Sequence, residues 1–199
     1  MKDILISLNK AVQDDLSDEN AAYILCFSHD KQVTADGENT LVLHFQDLDD
    51  DKSPDAFQVS HAKQIVRFYE QIRDNDRITC IFVCCDGGIS RSPAIAAALM
   101  RAQGQDDNVI WSDREYDPNT LVYRRLCHAF GHPVTSRELR RKVRQNREAW
   151  SGSLFQILKQ GIEEIIAYQR GEIALRVTTI DDEGNRHTEC RKKSMAKKG

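Results

Sequence analysis

Cys80-Ile81-Phe82-Val83-Cys84-Cys85-Asp86-Gly87-Gly88-Ile89-Ser90-Arg91-Ser92-Pro93, continued by Ala94-Ile95-Ala96-Ala97-Ala98-Leu99-Met100, passes from an apolar run through a glycine pair into an alanine-rich run. A short continuous apolar run reads as a strand buried on both faces, and the alanine-rich run reads as a helix whose neighbours approach closely. Gly87 and Gly88 permit backbone angles closed to other residues, Ser90 or Ser92 can cap a helix, and Pro93 suits a first helical turn. Amide N–H groups then converge at a helix N-terminus. Such a concavity binds a tetrahedral oxyanion, because unpaired donors and the positive end of the helix dipole face inward.

Two residues turn that anion nest into a candidate reaction centre. Cys85 opens the loop, and Arg91 closes it six positions later. Amide donors, a helix N-terminus and a guanidinium all favour a thiolate over a thiol, whose free pKa is roughly 8.5. The planar fork of Arg91 matches two phosphoryl oxygens, and Ser92 can donate to the sulfur when it leaves.

The Cys-x5-Arg-Ser pattern after an apolar strand resembles the cysteine-dependent protein tyrosine phosphatases, and Gly88-Ile89-Ser90-Arg91-Ser92-Pro93-Ala94 looks most like their dual-specificity branch. Asp117-Pro118-Asn119 with Val122-Tyr123-Arg124 is also similar to small microbial members of that branch. The resemblance implies a phosphocysteine intermediate on Cys85, oxyanion binding by the loop of Asp86, Gly87, Gly88, Ile89, Ser90 and Arg91, and turnover assisted by Ser92. It departs from the family at one position: a histidine usually precedes the nucleophile, and here Cys84 stands there. That substitution keeps a second reading open, a phosphate-binding or partner-docking module without turnover.

The resemblance further implies a general acid just past the preceding strand. Asp47-Leu48-Asp49-Asp50-Asp51 follows the strand-like run Leu41-Val42-Leu43-His44-Phe45. A carboxylic acid held near the leaving oxygen accelerates phosphoester cleavage by about two to four powers of ten. Asp47 is the first choice, Asp50 the next, then Asp49 and Asp51; a solvated loop is the plain reading for most of the four. The loop contains no lysine, which disfavours multiply phosphorylated inositols, so the expected substrate is a phosphorylated protein or peptide, phosphotyrosine before phosphoserine or phosphothreonine.

Working outward, the 199-residue chain has room for one full core and an appendage. Its hydrophobic content of 40% and charged content of 30% fit a globular protein, and no run approaches membrane-spanning length. Neither a membrane partner nor a secretory leader is expected. The six cysteines lie mostly in apolar surroundings, which reads as reduced-thiol usage and a cytoplasmic setting. Cys80, Cys84 and Cys85 lack the spacing of a zinc knuckle, and no histidine pair completes one, so neither a metal nor another cofactor is expected. Residues 1–133 carry 13 Lys/Arg against 22 Asp/Glu, whereas residues 134–199 carry 15 against 9. The reading is therefore a phosphatase-like domain over 1–133 and a basic helical extension over 134–199.

The remaining elements follow in order. Residues 3–8 and Ala22–Phe27 read as strands, Leu8–Leu16 as helix-compatible, and Ala56–Ile72 as an amphipathic packing helix on which His61 is an ordinary polar position. Gly104 ends the helix after the loop, and Val109-Ile110-Trp111 reads as a short extended segment. A further helix begins at Pro118-Asn119 and ends near Gly131. Trp111 and Tyr116 cover core rather than line a cleft. Residues 135–149 form a basic helix, read as a solvated face with nucleic-acid contact through 135–199 as the sharper alternative. Residues 153–168 read as amphipathic, 173–188 as a hairpin and 192–199 as a basic tail. The fold class expected is α/β: a central, mostly parallel sheet flanked by helices, with a helical C-terminal extension and a β-hairpin.

Overall fold

A computed structural model of the chain describes residues 2–8, 18–28, 39–149, 162, 175–180 and 186–191. The readings of 8–16 as helix, of 153–168 as an amphipathic segment and of 192–199 as a tail lie wholly or almost wholly outside the described residues. The chain divides into two compact units, Met1–Trp150 and Ser151–Gly199.

The first unit is α/β. Strands β1 (Asp3–Leu8), β2 (Ala21–Phe27), β3 (Thr40–His44) and β4 (Cys80–Cys85) form one sheet in the order β1-β4-β2-β3, every pair parallel. Helices α1 (Val59–Arg73), α2 (Arg91–Ala102), α3 (Asn108–Trp111), α4 (Thr120–Ala129) and α5 (residues 136–149) complete it. The uninterrupted apolar run of β2 is buried at every position, as a strand between two others requires. The other interior strand, β4, lies between β1 and β2, so its C-terminal residue, Cys85, emerges at the sheet end where parallel α/β folds gather ligands.

The two faces of the sheet bury different sets of side chains. One carries the large core, in which Ile24, Ile81, Val83 and Cys85 meet Ile65 and Ile72 of α1, Ile95 and Leu99 of α2 and Val122 and Leu126 of α4. The other carries Ala21, Tyr23, Leu25, Phe27 and Cys84, with Tyr23 stacked on Phe82 at 5.5 Å between ring centroids. Alternation along β4 therefore sends Cys84 and Cys85 to opposite faces. Nine consecutive residues of α2, Arg91 to Leu99, are buried, which accounts for its alanines. Gly104, at φ 73°, ends that helix in the left-handed conformation glycine tolerates best. His61 is a structural residue: its Nδ1 accepts from the Gln58 N–H at the start of α1.

Two expectations are corrected here. Val109-Ile110-Trp111 is not extended but sits in the single helical turn α3, with Trp111 packed edge-on against Tyr123 at 5.1 Å. The basic helix is not solvated all round. Arg137, Arg140, Arg141, Arg144 and Arg147 are exposed, yet Lys142 is 1% exposed and donates to Asp107 Oδ1 at 2.8 Å and Asn108 Oδ1 at 2.9 Å. Asp107 also accepts from the Tyr123 hydroxyl. Burial first, and that bond second, push the tyrosine pKa well above its ordinary value. Glu138 pairs with Arg101 at 2.6 Å, and Asn146 Nδ2 donates to Tyr116 O at 2.8 Å. Residues 138, 142 and 146 recur every four positions, so one face of α5 is fastened down while the arginines point away.

The Lys142–Asp107 pair yields a stability prediction. Lys142→Met leaves a buried carboxylate without its cation and is expected to cost about 3–5 kcal/mol in urea unfolding. The double variant Lys142→Met, Asp107→Asn is expected to recover part of that loss. Equal midpoints for the wild-type and single-variant proteins would contradict the role given to the pair.

In the second unit, β5 (Leu175–Ile180) and β6 (Arg186–Arg191) pair antiparallel with Leu175 opposite Arg191 and Ile180 opposite Arg186, the hairpin read from the sequence.

Candidate active site

The loop from Cys85 to Arg91 joins the C-terminal end of β4 to the first turn of α2. Gly88, at φ 67°, adopts the left-handed conformation that a side chain would strain. Gly87 does not, and a Cβ there would meet nothing within 4 Å. Of the glycine pair, Gly88 is thus the one that the loop geometry requires.

Cys85 is 2% exposed, so a ligand must enter the loop to meet its sulfur. The Sγ accepts from the Gly88 N–H at 3.2 Å and lies 3.1 Å from Ser92 Oγ, at hydrogen-bonding distance. Ser92 is fully buried, which leaves its hydroxyl facing the sulfur instead of capping the helix. Ser90 occupies the N-cap position but makes no side-chain cap; its hydroxyl donates to Asp47 Oδ1 at 2.9 Å. Among the described residues, the backbone N–H groups of Gly87, Ile89, Ser90, Arg91 and Ser92 have no acceptor. They are the donors an oxyanion would take.

Arg91 is 4% exposed and held at two of its three nitrogens. One terminal nitrogen donates to the Phe45 carbonyl at 2.9 Å and the other to Asp86 Oδ2 at 2.8 Å, with the guanidinium carbon 5.8 Å from the centre of the Phe45 ring. Its Nε is buried and has no hydrogen-bond partner among the described residues. A buried guanidinium N–H left unsatisfied costs about 1–3 kcal/mol or more, an outlay that a bound anion would offset. Asp86 is thus more than a backbone donor. Its Oδ2 also accepts from Ser28 N at 3.3 Å and Ser28 Oγ at 3.1 Å, tying the loop to the end of β2. Neither Ser28 nor the Phe45 carbonyl was legible as a site group, since one is a lone serine after a strand and the other a main-chain atom.

The four aspartates separate by what they touch. Asp49 Oδ1 accepts from Thr120 N and Oγ1, both at 3.1 Å, and from Leu121 N at 3.3 Å, so it caps α4. Asp50 accepts from Lys52 N within its own turn, and Asp51 faces Arg124 at 3.6 Å. Asp47 alone of the four reaches the loop: besides Ser90, it accepts from Asn119 Nδ2 at 2.8 Å. Asn119 does three jobs, because its Oδ1 caps α4 through Val122 N and its own N–H donates to Ser90 O at 3.2 Å.

Cys84, in the position where a histidine was expected, is buried on the far face of the sheet, and burial with Cys85 alongside pushes its thiol up to about 12. It is neutral at neutral pH and brings packing without charge. Beside Cys85 on the core face stands Cys26, its register partner on β2, whose pKa is raised by burial first and by Cys85 second. A cleft of about 570 Å³ opens beside the loop, lined by Asp47, Ile89, Ser90, Asn119, Val143 and Arg147 among others. A more apolar groove of about 600 Å³ between α1 and α4 includes no residue of the 85–92 loop.

A thiol, a buried guanidinium and a carboxylate assembled around one strand–loop–helix junction define a candidate cysteine-dependent phosphate site. No family model and no curated protein matches the chain. Among solved structures it is similar to human DUSP28, at 14% identity over 75% of this chain and 94% of that one with a TM-score of 0.38. It is also similar to Tk-PTP in the active form, at 15% identity over 74% and 90% with a TM-score of 0.37. No helix among the described residues is long and apolar enough to cross a membrane.

Proposed function

We propose that the chain is a phosphomonoester hydrolase of the tyrosine or dual-specificity phosphatase type, acting on a phosphorylated protein or peptide. The observation that carries this reading is the position of Cys85 Sγ, within hydrogen-bonding distance of Gly88 N and Ser92 Oγ, in a loop that Asp47 and Arg91 both brace. In the first step the Cys85 thiolate attacks phosphorus, the bond from phosphorus to the leaving oxygen breaks, and Asp47 gives that oxygen its proton. In the second, water loses a proton to the Asp47 carboxylate and attacks phosphorus. The S–P bond then breaks, and Ser92 donates to the departing sulfur. Arg91 Nε and the loop amides hold the equatorial oxygens through both steps.

Asp47 is tested against its neighbours. Asp47→Asn is expected to lower kcat on an alkyl-type phosphoester by about 10²–10⁴-fold. Asp50→Asn is expected to stay near wild type, and Asp49→Asn to lose about 0.5–2 kcal/mol of stability through the cap on α4 with little change in kcat. Equal kcat values for the Asp47 and Asp50 variants would remove Asp47 from the mechanism.

One observation favours a second reading, a phosphate-binding module without turnover. Asp86 places a carboxylate inside the loop and occupies a nitrogen of Arg91, while Cys84 brings no positive charge beside the nucleophile. Steady phosphate release by the purified chain at neutral pH, lost on thiol alkylation, would dispose of that reading.

A further inference from the structure

Helix α1 is apolar over more of its surface than the core covers. Ile65, Phe68, Tyr69 and Ile72 are buried, yet Val59 is 55% exposed and Val66 is half-buried. Val59, Ala62 and Val66 line the groove of about 600 Å³ from the α1 side, and Ala129 lines it from α4. Spaced i, i+3 and i+7, the three α1 residues make an apolar stripe about 10 Å long.

Cations border that stripe on both walls. Lys63 and Arg67 each follow a stripe residue on α1, and Arg124 and Arg125 come from α4. Glu70 is the one carboxylate among the lining residues. Asp51, outside the groove, offsets Arg124 at 3.6 Å, while the terminal nitrogens of Arg125 donate to the Phe57 and Asp51 carbonyls and so fix its charge in place. Among the described residues, Lys63 and Arg67 have no carboxylate within 4.0 Å. The groove therefore keeps an excess of positive charge, although residues 1–133 carry 22 Asp/Glu against 13 Lys/Arg. Six of its ten lining residues are exposed, which makes it an open trough rather than a pocket that would enclose a small ligand.

We infer that this groove is a docking site for an acidic amphipathic helix of a partner protein. Such a helix lays apolar anchors at i, i+3 or i+4, and i+7 into a trough, two turns that match the two turns of the stripe. Acidic side chains beside those anchors meet Lys63 and Arg67 on one wall and Arg124 and Arg125 on the other, which selects the sign of the partner and sets its register. No residue of the 85–92 loop lines the groove, so the inference stands or falls separately from the hydrolase reading.

The test is fluorescence anisotropy on the full chain with three labelled peptides, each of about 16 residues so that a helix can form. One carries leucines at i, i+4 and i+7 flanked by glutamates, the second has lysines in place of the glutamates, and the third shuffles the glutamate peptide so that its leucines share no face. The glutamate peptide is expected to bind at least about tenfold more tightly than either other, with the margin over the lysine peptide shrinking as salt rises. Lys63→Glu with Arg67→Glu is expected to reverse the preference in favour of the lysine peptide, and Val59→Glu to weaken the glutamate peptide about tenfold. Arg137→Glu with Arg141→Glu, an equal change of charge outside the groove, is expected to leave the preference intact. The inference is overturned by no binding of the glutamate peptide, by equal binding of all three, or by an equal loss with the Arg137 and Arg141 changes. A different occupant overturns it too: a dimer in sedimentation velocity that Val59→Glu dissolves assigns the groove to a second copy, and displacement of the peptide by an equal concentration of dodecanoate assigns it to a fatty anion.

Discussion

The Cys85→Ser variant is expected to lose hydrolysis of an aryl phosphate by at least about 10⁴-fold while still binding inorganic phosphate. The reasoning separates two functions of one loop. Bond making to phosphorus needs a sulfur nucleophile, for which a serine hydroxyl with no general base beside it cannot substitute. Anion binding needs the amides that follow the loop and the Arg91 Nε, and none of these is touched by exchanging sulfur for oxygen. Steady-state turnover and phosphate titration on the same preparation read both. Measurable retained turnover would mean that another group attacks phosphorus, whereas loss of phosphate binding would mean that the sulfur holds the loop together.

Arg91→Lys is expected to lower kcat/KM by about 10³–10⁵-fold, because it removes the planar fork whose buried Nε has no partner among the described residues and, in the proposed mechanism, holds a phosphoryl oxygen. A lysine retains the charge but cannot donate at once to the Phe45 carbonyl, to Asp86 and to an oxyanion. The same change leaves the Phe45 carbonyl short of a donor, with a stability loss of about 1–3 kcal/mol. Thermal unfolding therefore accompanies the kinetics. A folded variant with near-normal kcat/KM would show that the guanidinium only braces the loop and takes no part in binding phosphate.

The legible part of this protein is the part encoded in neighbouring residues. The strand–loop–helix passage at Cys80–Met100, the interior strand at Ala22–Phe27 and the hairpin after residue 173 follow from runs whose meaning does not depend on distant chain. The ranking of the four aspartates was only partly legible, because Asp47 and Asp49 differ in partners more than 40 and 70 positions away, at Ser90 and Thr120. Lys142 was hidden for a similar reason. Within a run of arginines it reads as one more solvated charge, and its acceptors, Asp107 and Asn108, lie 35 and 34 positions back. Val109-Ile110-Trp111 has too few residues for a period to separate strand from helix, so the packing of Trp111 on Tyr123 decides it. That α5 lines the cleft beside the 85–91 loop was out of reach of the sequence, since it requires knowing which face of that helix turns inward.

Acid-quenched single turnover with a radiolabelled aryl phosphate, followed by proteolysis and mass analysis, tests the phosphocysteine mechanism most directly. The label is expected in one peptide, as a phosphoryl group on Cys85, and it should build up when Asp47→Asn slows hydrolysis of the intermediate. Turnover without any labelled protein, label on another residue, or no turnover under these conditions would each contradict that mechanism.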